Sequence, residues 1–116
     1  MKHAWNGILT LLKEERNAKI HALSTIAVIL VGYYLNFSAI DWLWITLAIA
    51  AVWTAELFNS ALERIVDIVS PELNPLAKKA KDFAAAAVLV MSIWAVIVFL
   101  LIAIPNFWIF LSFGNR

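Results

Sequence analysis

A helix that crosses a membrane normally excludes carboxylates, and this chain sets one well inside such a run. The stretch Trp42–Leu62 is about 21 residues, or roughly 31 Å of helix, which matches a hydrocarbon core of about 30 Å. Yet it carries Glu56 and Asn59, and Glu63 and Asp67 follow at its end. At about 100° per residue these four share an arc of about 80°, which Ser60 extends. Glu56 falls about 21 Å along the run from Trp42, roughly 9 Å short of the far boundary, with Glu63 about at that boundary. A charged side chain facing lipid at the bilayer centre costs about 2.5–3.5 kcal/mol on insertion scales, and less near the edge. Asp67 alone reads as readily as a solvated acid, and Asn59 alone as an interhelical hydrogen bond. Glu56 has no basic residue before it in its own run, so its partner must come from elsewhere. Four polar residues on one face favour a site.

Two further apolar runs flank this one, Ile20–Leu35 and Ala84–Ile104. The first is short and recruits Lys19 and His21 at its edge. Hydrophobic residues make up 64% of the chain, against roughly 45–50% in an ordinary soluble domain. With 15% charged residues and a net charge of +1, a disordered tail, a basic nucleic-acid module and a typical water-soluble enzyme are excluded. The absence of cysteine removes disulfides, thiolate metal sites and cysteine nucleophiles. The expected fold is therefore an all-α membrane protein of one domain, 1–116. A surface helix is expected at 1–19, with membrane helices at 20–40, 42–69 and 77–104. Trp5, Ile8, Leu9 and Leu12 make the apolar stripe of the surface helix. Charges among residues 1–19 argue against a cleavable signal. Pro105 is expected to stop the last helix, with Phe107, Trp108 and Phe110 as an interfacial anchor. Trp42 and Trp44 are expected to anchor the start of the middle span in the same way.

Lysine and arginine counts give an orientation. Four precede the first span (Lys2, Lys13, Arg16, Lys19) and four lie between the second and third (Arg64, Lys78, Lys79, Lys81). Residues 36–41 have none and the C-terminal tail has only Arg116. The positive-inside rule puts the N-terminus and the 63–83 link in the cytoplasm and the C-terminus outside. On that cytoplasmic side, Lys78 and Lys79 are explained by topology and anionic lipid. Lys81 beside Asp82, at the start of a span that opens on four alanines, is harder to dismiss. Glu15 has an ordinary explanation as the i, i+4 partner of Lys19. His3 and His21 pair with nothing obvious, so histidine–metal ligation is not expected. Carboxylates without histidine or cysteine suit Mg²⁺, and adjacent lysines suit phosphate. No G-x-x-x-x-G-K-[ST] loop and no protein-kinase signature set is present.

The pattern E-x-x-N-x-x-x-E-x-x-x-D over Glu56–Asp67, followed by Lys81-Asp82 and the alanine run, resembles the small prokaryotic diacylglycerol kinases. That family includes the undecaprenol kinases. Ala4-Trp5-Asn6-Gly7 and Lys13-Glu14-Glu15-Arg16-Asn17 extend the similarity over nearly the whole chain. The resemblance implies a homotrimer of three-span subunits in a bacterial cytoplasmic membrane, with sites shared between subunits. It implies transfer of the γ-phosphate of ATP to a lipid hydroxyl, with no nucleic-acid partner. By resemblance, Glu56 is the general base, and Glu15 and Glu63 hold Mg²⁺ against the nucleotide. Lys81, Asp82 and Glu72-Leu73-Asn74 contact the nucleotide, and Asp67 supports them. Asn59, Lys19, His21 and Ala85 join Glu56 in binding the lipid. Two departures stand out: Asn74 replaces a frequent histidine, and an N-terminal basic residue used by some members has no counterpart. The segments around Glu15 and Ser70-Pro71-Glu72 look closer to the undecaprenol members, with diacylglycerol second. The competing readings are a proton- or cation-conducting oligomer that uses the same carboxylates, and a structural subunit whose polar stripe is interhelical glue.

Overall fold

The computed structural model describes residues 1–72 and 74–114. Among them the chain forms four helices: α1 (Lys2–Glu14), α2 (Arg16–Tyr34), α3 (Ala39–Val69) and α4 (Pro75–Phe113). The all-helical expectation holds. The molecule is elongated, 60 × 31 × 21 Å, because α4 alone has 39 residues, or about 58 Å of helix. Among the described residues, α3 and α4 are long and apolar enough to cross a membrane. With 19 residues and a first turn that contains Arg16 and Lys19, α2 does not meet that test by itself.

Helix boundaries differ from expectation for local reasons. Glu15 is extended (φ −103°, ψ 121°), so α1 ends at Glu14 and Arg16–Lys19 belong to α2. The second helix ends at Tyr34, not residue 40. Asn36 takes a left-handed conformation (φ 62°); Phe37 N–H then donates to Gly32 O (3.0 Å) and Asn36 N–H to Tyr33 O (3.3 Å). This is the Schellman pair that closes a helix. Ser38 caps α3 through a reciprocal box with Asp41, at 3.1 and 3.0 Å, so that helix starts at Ala39 and not at Trp42. Asn74 caps α4 through Leu76 N–H (2.8 Å), with Pro75 in the first turn.

Pro105 does not stop α4, which continues to Phe113. Pro105 has no N–H for the carbonyl one turn earlier, a loss that membrane helices tolerate when neighbouring groups hold the backbone. The carbonyl that loses its helical donor is Leu101 O; the residue after the proline ties this turn to α3, the Asn106 amide donating to Ile102 O (2.8 Å) and to Asp41 Oδ2 (3.2 Å). The expected aromatic anchor beyond the stop is thus helical: Phe107 and Trp108 are exposed, while Phe110 rests on Tyr34. Trp42 is not an exposed anchor either. It is half-buried, with its ring 5.6 Å from those of Tyr33 and Phe37, whereas Trp44 is exposed.

The apolar core sits at this aromatic end, where Leu35, Phe37, Ile45, Ala48, Val98 and Ala103 close together. Gly32 is required there. A Cβ on it would lie 2.4 and 2.7 Å from the Trp42 ring and 2.9 Å from Phe37. Gly32→Ala is expected to cost about 1–3 kcal/mol as overpacking, read as a lower midpoint of thermal unfolding in detergent. Gly7→Ala, where a Cβ meets nothing within 4 Å, is the control and should leave the midpoint unchanged or raise it.

Candidate functional site

One face of α3 runs from the core to the opposite, acidic end of the molecule. Its buried residues are Ile45, Ala48, Val52, Glu56 and Ser60, spaced three or four apart as one helical stripe. The stripe is apolar for three steps and then turns polar. Glu56 is 3% exposed and Ser60 5%, Asn59 and Glu63 are half-buried, and Asp67 is exposed. The acidic face read from the sequence is therefore a gradient from interior to water.

The partner that Glu56 lacked in its own helix is His21 of α2, whose Nε2 stands 3.0 Å from Glu56 Oε1. The imidazole is not aligned for a hydrogen bond, and Oε1 is buried without one. Asn59 Oδ1 and Ser60 Oγ are likewise buried with no hydrogen-bond partner. Buried polar atoms are nearly always satisfied, so three within five residues mark a place where a polar ligand group would find acceptors and a hydroxyl. Asn59 turns its amide to Glu63 Oε1 (3.3 Å), which fixes that carboxylate one turn nearer the end of the helix.

At the acidic end the groups are paired in ways that local spacing did not suggest. Arg64 bonds Glu14 and comes within 3.6 Å of Glu15 Oε1, holding the junction of α1 and α2 against α3. Glu15 thus faces Arg64, and the expected pairing with Lys19 gives way to this contact across 49 residues of sequence. Lys81 bonds Asp67, while Asp82 accepts from Lys78 at 2.8 Å. Lys81 and Asp82 are therefore engaged separately, and Lys78 does more than mark topology. Both lysines precede the apolar run of α4. The hydrogen bond to Asp67 holds the Lys81 ammonium above its ordinary 10.5, as the bond to Asp82 does for Lys78. Both stay charged at neutral pH, and the pairs weaken only as alkali carries the lysines through their raised values.

Other expected site residues are more scattered. Lys19 and Ala85 are exposed on α2 and α4, and Glu72 lies exposed in the turn, its carbonyl accepting from Ser70 Oγ. Asn74 is occupied in capping α4. Leu73 lies outside the described residues. Among the described residues, no three of histidine, cysteine, aspartate and glutamate converge as a ready metal cage. Glu15 and Glu63 offer hard oxygen donors, and Mg²⁺ is commonly held by one or two carboxylates together with phosphate oxygens. That donor set fits the ion.

The prokaryotic diacylglycerol kinase family model matches residues 2–103. The chain belongs to this family. An undecaprenol kinase of Bacillus subtilis is 41% identical over 104 residues, covering 90% of this chain and 85% of that protein. A diacylglycerol kinase of Synechocystis is 41% identical over 98 residues, covering 84% of this chain and 56% of the relative. The diacylglycerol kinase of Escherichia coli K12 is 27% identical over 105 residues, covering 90% and 86%. The buried face of α3 is thus part of a membrane lipid-kinase chain.

The contact between His21 and Glu56 should be visible as energetic coupling. His21→Leu is expected to destabilise by about 1–3 kcal/mol, because it strands the buried Glu56 carboxyl, and Glu56→Leu by less, because His21 keeps 21% exposure. The double variant should lose at least about 1 kcal/mol less than the sum, measured by denaturant unfolding in micelles. Strict additivity would mean the two groups do not interact.

Proposed function

We propose that the chain is an ATP-dependent kinase of a membrane lipid alcohol, with undecaprenol favoured over diacylglycerol, working at the cytoplasmic face as a homotrimer. The observation that carries this is the polar end of the α3 stripe, where Glu56, Asn59 and Ser60 present buried oxygens without hydrogen bonds below a rim of lysines and carboxylates. A lipid hydroxyl reaches such a place from the bilayer, and a triphosphate reaches the rim from water. Relatives named for the two lipids are equally identical, at 41%, and the lean to undecaprenol rests on the segments around Glu15 and Ser70-Pro71-Glu72.

In this reading Glu56 accepts the proton of the lipid hydroxyl while that oxygen bonds to the γ-phosphorus. The bond between the γ-phosphorus and the bridging oxygen breaks, and ADP leaves. Positioning and charge neutralisation dominate such transfers. Glu63 lies about 10 Å beyond Glu56 along α3, and Asp67 roughly 16 Å beyond, distances on the scale of a triphosphate laid along the helix. Lys81 has three ammonium donors, so the bond to Asp67 leaves others for phosphate. Glu15 and Glu63 would hold Mg²⁺, which when bound neutralises phosphate charge. His21 orients Glu56, Asn59 orients Glu63, and Asp67 orients Lys81. Lys19, Ala85 and Asn59 flank the lipid, while Glu72, Asn74 and Asp82 border the nucleotide.

The trimer answers a packing problem. Asn59 and Glu63 are only half-buried in one chain, and a neighbouring subunit would shield them from lipid. In the proposed topology α2 is the third span, held at its charged end by headgroups, with the N-terminus in the cytoplasm and the C-terminus outside.

Protein reconstituted with Mg²⁺, labelled ATP and undecaprenol should form the lipid phosphate. Glu56→Gln should lower kcat by about 10²–10⁴, the usual scale for a general base, with little change in KM for ATP. Lys81→Met should instead raise KM for ATP. Full activity in Glu56→Gln removes that residue as the base. Ion flux in liposomes without ATP, and no phosphate transfer, would favour the conducting oligomer.

A further inference from the structure

A ring of contacts joins α2 to α3 at the level of Glu56. Trp53 Nε1–H donates to Thr25 Oγ1 (3.1 Å), and the Thr25 hydroxyl donates to His21 O (2.7 Å). His21 in turn meets Glu56. Trp53 and Glu56 are three residues apart on α3, and His21 and Thr25 four apart on α2, so each pair shares a face. His21, Thr25 and Trp53 also line a mainly apolar, half-open cavity of about 250 Å³, together with Val28, Val52 and Phe99. Neither Trp53 nor Thr25 belongs to the acidic motif.

We propose that Trp53 and Thr25 select the lipid alcohol. They wall a cavity that takes the hydroxyl-proximal hydrocarbon of a single-chain polyprenol and disfavours the paired ester chains of a diacylglycerol. This rests on the lipid-kinase reading above. Continuity is the first argument: Glu56 does not itself line the cavity, but His21 both lines it and touches Glu56, so a chain lying there would carry its hydroxyl past His21 to the base. Polarity is the second. The indole N–H is already bonded to Thr25 and the threonine hydroxyl to a backbone carbonyl, so neither is free to serve an ester carbonyl. An ester oxygen lodged between Trp53 and Thr25 would lose its hydrogen bonds to water without replacement from either residue. Size is the third. An apolar cavity of about 150 Å³ holds a benzene ring, so this one takes roughly ten carbons of one chain. A diacylglycerol branches into two ester arms within three carbons of its hydroxyl.

The test compares kcat/KM for undecaprenol and for dioleoylglycerol in the same mixed micelles with Mg²⁺ and ATP. Trp53→Ala, which opens the wall, should move the ratio toward dioleoylglycerol by about tenfold, the scale on which pocket shape discriminates hydrocarbon. Thr25→Val keeps the shape but frees the indole, and should move the ratio the same way by a smaller factor. Equal change for both lipids in both variants would mean a purely structural role and would overturn the proposal. Should Trp53→Ala fail to fold, Thr25→Val decides on the same criterion. Ser24 and Ser92 also line the cavity. If replacing both with alanine selectively lowers dioleoylglycerol turnover, the cavity is an ester site and the proposal is wrong. If the unaltered protein phosphorylates neither lipid, the kinase reading falls first and this inference with it.

Discussion

The constraint on which the rest depends is the change of character along one buried face of α3. Ile45, Ala48 and Val52 pack as any core would, and the next two inward positions are Glu56 and Ser60. A carboxylate at 3% exposure carries a desolvation cost that a single hydrophobic neighbour cannot offset. The chain lays α2 across α3 so that His21 Nε2 stands 3.0 Å from Glu56 Oε1, a contact that covers the carboxylate without hydrogen-bonding it. The turn at Leu35–Ser38, the capping box of Ser38 with Asp41 and the close approach at Gly32 all serve to bring α2 back along α3 in this register.

The division of labour along the long axis follows. Apolar core and aromatic contacts are concentrated where α2 meets α3 and where Asn106 ties α4 to Asp41. The acidic end has no comparable cluster of buried hydrocarbon among the described residues. An end held mainly by polar contacts opens more easily than one held by packed side chains. The rigid half fixes the direction of α3, and the polar half can rearrange about Glu63 and Asp67 while Glu56 stays in place.

How much of this was legible in the sequence depended on range. The shared face of Glu56, Asn59, Ser60 and Glu63 follows from helical periodicity, and the family from the motif that those residues form. Pro105 misled because its cost is one local hydrogen bond, while the turn around it is held from another helix: the Asn106 amide reaches Asp41, 65 residues away in sequence. Trp42 looked like an interfacial anchor because tryptophan favours interfaces, whereas Gly32, ten residues earlier, had made room for its ring. The pairings of His21 with Glu56 and of Arg64 with Glu14 and Glu15 join separate helices, and no spacing rule reports such contacts. The one available signal was indirect. Glu56, without a partner in its own run, had to find one elsewhere, and Lys19 and His21 both stood at the edge of the preceding run.

The contrast between depth and rim bears on how a kinase of this kind would exchange its nucleotide. Lys81 with Asp67, Lys78 with Asp82 and Arg64 with Glu14 are all exposed pairs, and such pairs are worth about 0–1 kcal/mol each. They are strong enough to hold cations and carboxylates near one another and weak enough to be redirected by a triphosphate, whose charge offers more than one carboxylate can. Glu56 is different. Its surroundings are buried and its contact crosses between helices, so its position changes little when the rim rearranges. In the proposed reaction the nucleotide must enter and leave on every turnover while the proton acceptor must not move. An exchangeable rim above a fixed interior carboxylate would meet both demands with a single helix face, and the exposure of Glu56, Glu63 and Asp67 increases along α3 in that order.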